Sequence, residues 1–259
     1  MSPKFTIITV VLNADADLFR TIKSVKAQSY TNFEVIIVEG GSPSPLLLDY
    51  VNLLPDKYRF VSERDAGIYD AMNKGVRLVR GSYICFLNAG DTFTSNNVLK
   101  EVDGSCGSPA PAVVYGDFRI IRDKRTKNVS AASPHAIRYK MLTCHQSIFF
   151  RSDILPSPCY SETYAICADY NLMCMLYKDG YKFIKIKKTI CDFKSGGISE
   201  KKVFDRNREE YAIAKRHFGI SLPLRVFSIT RTLKGYVTRK IFSSFYRQRA
   251  QPVGTDEAK

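Results

Sequence analysis

The 259-residue sequence lacks several signatures that would decide its function quickly. It has three histidines, none in metal-ligand spacing, which argues against a zinc site. Its seven cysteines, at positions 85, 106, 144, 159, 167, 174 and 191, form no C-x-x-C pair. Their number is odd and several sit in apolar runs, so they read as buried thiols of a reducing compartment. No run approaches the ~18 consecutive apolar residues that a membrane span needs. The apolar run Phe5 to Leu12 is too short for a signal peptide and has no small-residue cleavage site. No glycine-rich turn follows that run, which leaves a G-x-G-x-x-G dinucleotide fold and a Walker phosphate loop unsupported. No G-x-S-x-G elbow marks a serine hydrolase.

Acidic residues are also missing from one stretch. The whole chain carries 39 Lys+Arg and 25 Asp+Glu, a net charge of +14. Residues 1–210 hold 29 basic and 23 acidic side chains, whereas residues 211–250 hold nine basic ones and no acidic one. Such an excess asks for an acidic partner: nucleic acid, a membrane surface or a phosphorylated substrate. Composition is otherwise ordinary, with 45% hydrophobic and 25% charged residues, which excludes disordered, collagen-like and coiled-coil chains.

The pattern along the chain is α/β. Phe5 to Leu12, Phe33 to Val38, Tyr58 to Ser62 and Tyr83 to Leu87 read as strands, the longer runs apolar throughout as in a parallel sheet. Between them Leu18, Ile22 and Val25 share one helix face, and further helices are expected over Pro45–Leu54 and Asp70–Val79. This alternation predicts a doubly wound nucleotide-binding half. The later part is more mixed. Strands are expected at Ala112–Tyr115, Phe118–Ile121, Ser147–Phe150 and Phe183–Ile186, and helices at Ala168–Lys178 and Lys201–Phe218. No linker divides residues 1–200. The expected organisation is a catalytic domain over 1–210, a basic amphipathic helical segment over 211–250 and a disordered polar tail over 251–259.

Acidic residues recur where the first strands end. Glu39 follows the second, Asp65 the third and Asp91 the fourth. In a parallel sheet these carboxylates share one rim, the edge at which open α/β sheets bind ligands. Carboxylates there bind a hard divalent cation, which neutralises a diphosphate, or accept hydrogen bonds from base and ribose.

The residues around them carry a resemblance. Thr6-Ile-Ile-Thr-Val-Val-Leu-Asn13, Ser24-Val-Lys-Ala-Gln-Ser-Tyr30 and Val35-Ile-Ile-Val-Glu-Gly-Gly-Ser42 open the chain. Ser62-Glu-Arg-Asp65-Ala-Gly-Ile-Tyr-Asp-Ala-Met-Asn-Lys-Gly75 and Gly81-Ser-Tyr-Ile-Cys-Phe-Leu-Asn-Ala-Gly-Asp91 follow, then His145-Gln146-Ser-Ile-Phe149, Ala168-Asp169-Tyr170 and Gly196-Gly-Ile-Ser199. In this order and spacing the set resembles family 2 glycosyltransferases of the GT-A fold. The likeness is to the bacterial subgroup that builds exopolysaccharide, colanic-acid-type and O-antigen repeat units.

That resemblance implies an inverting transfer of a sugar from a nucleoside diphosphate donor carrying UDP or GDP. It implies donor contacts for Thr9, Asn13, Glu39, Asp65, Asn73 and Asn88. Glu39 stands where the family usually has Asp. Asp91 is the one carboxylate kept in the D-x-D region, so it is the expected ligand of Mg²⁺ or Mn²⁺. Asp169 aligns with the catalytic base, and direct displacement needs one base for the acceptor hydroxyl. His145, Gln146, Gly197 and Ser199 are expected on the acceptor or diphosphate side, the last two in a closing loop.

Residues 222–249 interleave apolar and basic positions at helical spacing, which reads as docking on an anionic membrane surface. Nucleic acid is not an expected partner, because no RNA- or DNA-binding motif accompanies the charge. The expected acceptor is a lipid-linked saccharide, at the cytoplasmic side of the cell membrane. A nucleotidyltransferase and a non-catalytic membrane or RNA-binding module are the rival readings.

Overall fold

The computed structural model describes residues 2–122, 125–220, 224, 226 and 228–230. The first half alternates as its pattern requires: β1 (Phe5–Val11), α1 (Asp15–Lys26), β2 (Phe33–Glu39), α2 (Pro45–Asn52), β3 (Tyr58–Ser62), α3 (Ile68–Val76) and β4 (Tyr83–Phe86). Then come β5 (Thr92–Phe93), α4 (Val98–Asp103), β6 (Val113–Arg122), β7 (Arg125–Val129) and β8 (Ile148–Arg151). The chain continues through α5 (Ala168–Lys178), β9 (Phe183–Lys194), α6 (Ile198–Lys201) and α7 (Val203–Phe218).

Among the described residues these strands form one mixed sheet in the order β3-β2-β1-β4-β8-β6-β9-β5, with β7 paired to the outer part of β6. The run β3-β2-β1-β4 is parallel, and β8 turns the sheet antiparallel against both β4 and β6. All seven residues of β1 and of β2 are buried, because both faces of the sheet are covered. Alternate side chains divide between the two faces. Phe5, Ile7 and Val11 pack with Leu18 and Ile22 of α1 and Leu99 of α4. Ile8 and Val10 pack on the other side with Met72 of α3, Met173 of α5 and Ile213 of α7. One polar group is accommodated inside this sheet. The buried Glu34 carboxylate accepts from Thr6 Oγ1 (2.7 Å), the Arg80 N–H (2.7 Å) and the Arg59 guanidinium (2.9 Å).

Several boundaries differ from the sequence expectation. The two strands expected on either side of Gly116-Asp117 are one strand, β6, whose register against β9 shifts at Tyr115, Asp117 and Phe118. Gly116 lies so close to β9 that a Cβ there would stand 2.5 Å from the Lys188 carbonyl oxygen. A bulge with a glycine reads as a break when only the pattern is visible. β9 runs on to Lys194, well past Ile186, because its second half pairs with β6 and β5.

The expected domain boundary after residue 210 falls inside α7. Ile213 and Ala214 are completely buried against the catalytic core, and Leu224 joins the same cluster. The remainder of the expected basic segment and the tail over 251–259 lie outside the described residues.

Candidate active site

Because β1 to β4 run in parallel, the loops that leave them open at one edge. Val11, Glu39 and Ser62 stand side by side in the ladder, so the three loops begin level with one another. Glu39 does not extend a free carboxylate from this edge. It is only 1% exposed. Its oxygens accept the Gly41 N–H (2.9 Å), the Ser42 N–H (3.0 and 3.2 Å) and the Ser62 hydroxyl (2.8 Å). The carboxylate therefore folds the loop around itself. Gly41 has φ +95°, and a Cβ there would lie 2.8 Å from the Arg64 backbone nitrogen. Only glycine suits both demands.

Asp65 lies against this loop. Its Oδ1 accepts the Gly67 N–H at 3.0 Å, and its Oδ2 would be 3.0 Å from a Cβ on Gly40. Asn13 is exposed at the end of β1, with φ +51°. Thr9 is fully buried within β1, and its hydroxyl has no hydrogen-bond partner.

A cavity of about 680 Å³ opens beside the loop after β4. Asn88, Ala89 and Asp91 line it, with Asp17 of α1, Gln146, and Lys194 to Gly197 at the end of β9. The β4 loop is fixed from α1: Thr21 Oγ1 donates to the Asp91 carbonyl at 2.7 Å and accepts the Gly90 N–H at 3.0 Å. Asp91 itself is 5% exposed. Burial pushes its carboxyl up to about 7, against the lowering effect of hydrogen bonds from the Lys194 N–H and the Gln146 side chain; neighbouring Asp17 raises it further. Across the loop, the Lys194 ammonium pairs with Asp17 at 2.7 Å.

Asp169, on the first turn of α5, lines the same cavity. Its Oδ1 takes the Tyr170 N–H at 2.9 Å and lies 3.2 Å from the Tyr69 hydroxyl. Both of these contacts fall on Oδ1. Burial raises this carboxyl to about 6, hydrogen bonds from the Tyr170 N–H, the Tyr69 hydroxyl and its own backbone N–H oppose that shift, and Glu210 of α7 adds to it. Such a group is ionised at neutral pH yet basic enough to take a proton.

The other expected site residues divide. Gln146 and Gly197 reach the cavity. His145 borders it, but its ring is buried, stacks on Phe86 at 5.0 Å and bonds through Nε2 to the Tyr160 hydroxyl at 2.6 Å. Burial lowers its pKa to about 3, so it is neutral. Asn73 commits both halves of its amide to the Tyr160 backbone. Ser199 falls in α6, and its side chain is outside the described ones. Asp17, Arg206 and Glu210 also line the cavity. Sequence reading missed them because nothing local distinguishes them from charges on a solvated helix face.

The donor set fits a divalent cation held by few protein ligands. Among the described residues no three His, Cys, Asp or Glu side chains gather into a metal cage. The buried Asn88 Oδ1, however, has no hydrogen-bond partner, and the Asp91 carboxyl beside it in the loop is desolvated. A cation here would be held by Asp91 and Asn88 and complete its shell with diphosphate oxygens and water, as Mg²⁺ commonly does.

Comparison with known proteins decides the family. The model of glycosyl transferase family 2 matches residues 6–167. The chain belongs to this family. Its fold is GT-A, and it is a glycosyltransferase. It is 33% identical over 182 residues to the PGL/p-HBAD biosynthesis glycosyltransferase of Mycobacterium bovis, a match covering 67% of this chain and 70% of that protein. Among solved structures it is similar to residues 1–349 of S. aureus TarS in complex with UDP-GlcNAc, with a TM-score of 0.65 at 14% identity, covering 83% of this chain and 67% of that one. The mannosyltransferase PcManGT of Pyrobaculum calidifontis, in complex with GDP-Man and Mn²⁺, gives a TM-score of 0.66 at 15% identity over 88% of this chain and 68% of that one.

Proposed function

We propose that this glycosyltransferase moves a sugar, with inversion, from a UDP or GDP donor to a lipid-linked saccharide in the assembly of a bacterial surface polysaccharide. One observation carries the reading: Asp91 and Asp169, from different elements, line a single cavity, and burial raises both above the ordinary carboxylate range. Two raised carboxylates from different elements in one cavity mark a functional site. The complexes of the fold relatives with UDP-GlcNAc and with GDP-Man and Mn²⁺ support the donor class and the use of a divalent cation.

The acceptor hydroxyl gives its proton to the Asp169 carboxylate. Its oxygen bonds to the anomeric carbon as the bond from that carbon to the diphosphate oxygen breaks, and the nucleoside diphosphate leaves. Asp91 and Asn88 would hold Mg²⁺ or Mn²⁺, which when bound would supply positive charge against the departing diphosphate. Gln146 orients Asp91, and Lys194 adds a second cation at the same loop. On the rim, Asn13, Asp65 and the loop shaped by Glu39 face the nucleoside. Gly197 and Ser199 belong to the segment that closes over the donor.

The basic stretch after α7 docks the enzyme on anionic lipid at the cytoplasmic face of the membrane. Val226 and Ile229 are 51% and 59% exposed near the buried Leu224, and the sequence around them interleaves apolar with basic positions. Among the described residues no helix is long and apolar enough to cross a membrane.

A thermal-shift panel tests the donor class. UDP, GDP and their sugars are each titrated with Mg²⁺, Mn²⁺ or EDTA. Stabilisation by one nucleotide, larger with metal than with EDTA, is the expected outcome. A protein indifferent to every nucleotide overturns the assignment.

A further inference from the structure

α7 does more than cover the sheet. Its Glu209 carboxylate reaches the backbone just ahead of α5. The Ala165 N–H donates to Oε1 at 3.2 Å, and the Ile166 and Cys167 N–H groups donate to Oε2 at 3.0 and 2.9 Å. Cys167 is the N-cap of α5 and has no side-chain capping bond of its own. Three consecutive N–H groups that would otherwise need water are taken by one carboxylate from another helix. Hydrogen bonds to an ionised acceptor are stronger than neutral ones, and negative charge is favoured at a helix N-terminus.

The same segment is gripped from the opposite side. The Ile166 carbonyl accepts the Tyr69 hydroxyl of α3 at 2.6 Å, and that hydroxyl lies 3.2 Å from Asp169 Oδ1. Residues 165–167 are thus clamped between α7 and α3, and Asp169 follows two residues later. The Glu209 contact spans more than 40 residues and has no sequence motif.

We infer that Glu209 is a positioning residue for the general base, an assignment that rests on Asp169 being that base. It fixes the start of α5, and so the place and direction of the Asp169 carboxylate. α7, which crosses the expected boundary at residue 210, therefore belongs to the catalytic apparatus. A misplacement of about 1 Å at a reacting group costs on the order of a hundredfold in rate.

The test uses the full chain and donor hydrolysis, in which water replaces the acceptor. UDP-GlcNAc and GDP-mannose serve as donors, and nucleotide release is followed for whichever turns over faster. Glu209→Ala should lower kcat by roughly tenfold to a hundredfold with KM unchanged. Glu209→Gln keeps one acceptor oxygen and should recover part of that loss. In an Asp169→Asn background, Glu209→Ala should cost nothing further, because its effect passes through the base. Hydrogen exchange should show the amides of residues 165–167 opening at least about tenfold faster in Glu209→Ala while β1 and β2 keep their protection.

A Glu209→Ala protein with wild-type kcat beside an impaired Asp169→Asn protein overturns the role of Glu209 alone. So does an equal loss in the Asp169→Asn background, or a loss confined to KM. Wild-type release by Asp169→Asn overturns the base first, and Glu209 with it.

Discussion

The side-chain amide of Asn73 pairs with the backbone of Tyr160 as one strand pairs with another. Nδ2 donates to the Tyr160 carbonyl at 2.9 Å, and Oδ1 accepts the Tyr160 N–H at 2.8 Å. Through this bridge α3 is tied to the segment that leads into α5. Tyr69, one turn earlier on α3, reaches Ile166 and Asp169. A single helix thereby sets both the floor of the cavity and the surroundings of the base.

Asn73→Ala strips both partners from a buried backbone unit. Each unsatisfied buried group costs about 1–3 kcal/mol, so the variant should be about 2–4 kcal/mol less stable in urea denaturation. At a temperature where it remains folded, its affinity for the nucleotide that stabilises the wild type should be unchanged. A stable variant with weakened nucleotide binding would return Asn73 to the donor contacts that its motif implied.

Asp169→Asn separates chemistry from binding. The base acts in its ionised form and its carboxyl is raised to about 6, so kcat of the wild type should rise with pH and reach half its plateau near that value. The stability sign is the opposite. A folded-state pKa above the unfolded value of about 3.9 stabilises the fold below that value, and the contribution is lost as pH rises through 6. At pH 8 the wild type therefore carries a buried charge worth up to about 3 kcal/mol, which Asn removes. The variant should lose turnover, keep nucleotide binding and melt higher than wild type at pH 8 but not at pH 4. A variant as active as wild type, or a flat pH profile, contradicts the role.

The alternation of strand and helix through residue 91 was readable because each parallel strand is buried on both faces and is apolar throughout. Val11, Glu39 and Ser62 then have to stand level, and the rim follows from topology. What the rim carboxylates do was not readable. Glu39 turns back on Gly41, Ser42 and Ser62, a choice made by loop geometry and not by residue type. β6 and β9 were broken or shortened in the reading because their pairing partners lie far away in sequence and a bulge at Gly116 interrupts the period. Glu209 gave no signal at all, since its meaning lies in three backbone N–H groups more than 40 residues earlier.

Asp91→Ala removes the one carboxylate of the β4 loop. The backbone N–H of Lys194 and the Gln146 side chain lose their acceptor, and the Asn88 oxygen loses the neighbour that would share a cation. Mn²⁺ should no longer tighten binding of UDP or GDP in calorimetric titration, and donor hydrolysis should fall by at least about a hundredfold, the scale of losing one preorganised electrostatic group. Metal-enhanced nucleotide binding that survives this substitution places the cation elsewhere.

Removing residues 231–259 leaves Leu224 in the core and takes away Arg231, Lys234, Arg239, Lys240, Arg247, Arg249 and Lys259. Each basic side chain near an anionic surface contributes about 1 kcal/mol, so seven of them outweigh the two acids, Asp256 and Glu257, lost with the tail. In sedimentation with vesicles containing about one-third phosphatidylglycerol, the full chain should pellet at low salt and the truncated one should stay in the supernatant. Raising the salt toward 0.5 M should release the full chain in part, because screening weakens the charge term but not apolar contact with the lipid. Donor hydrolysis by the truncated protein in solution should match the full chain, since α7 and its grip on the segment before Asp169 remain. Equal pelleting of both proteins would mean that the basic stretch serves another partner.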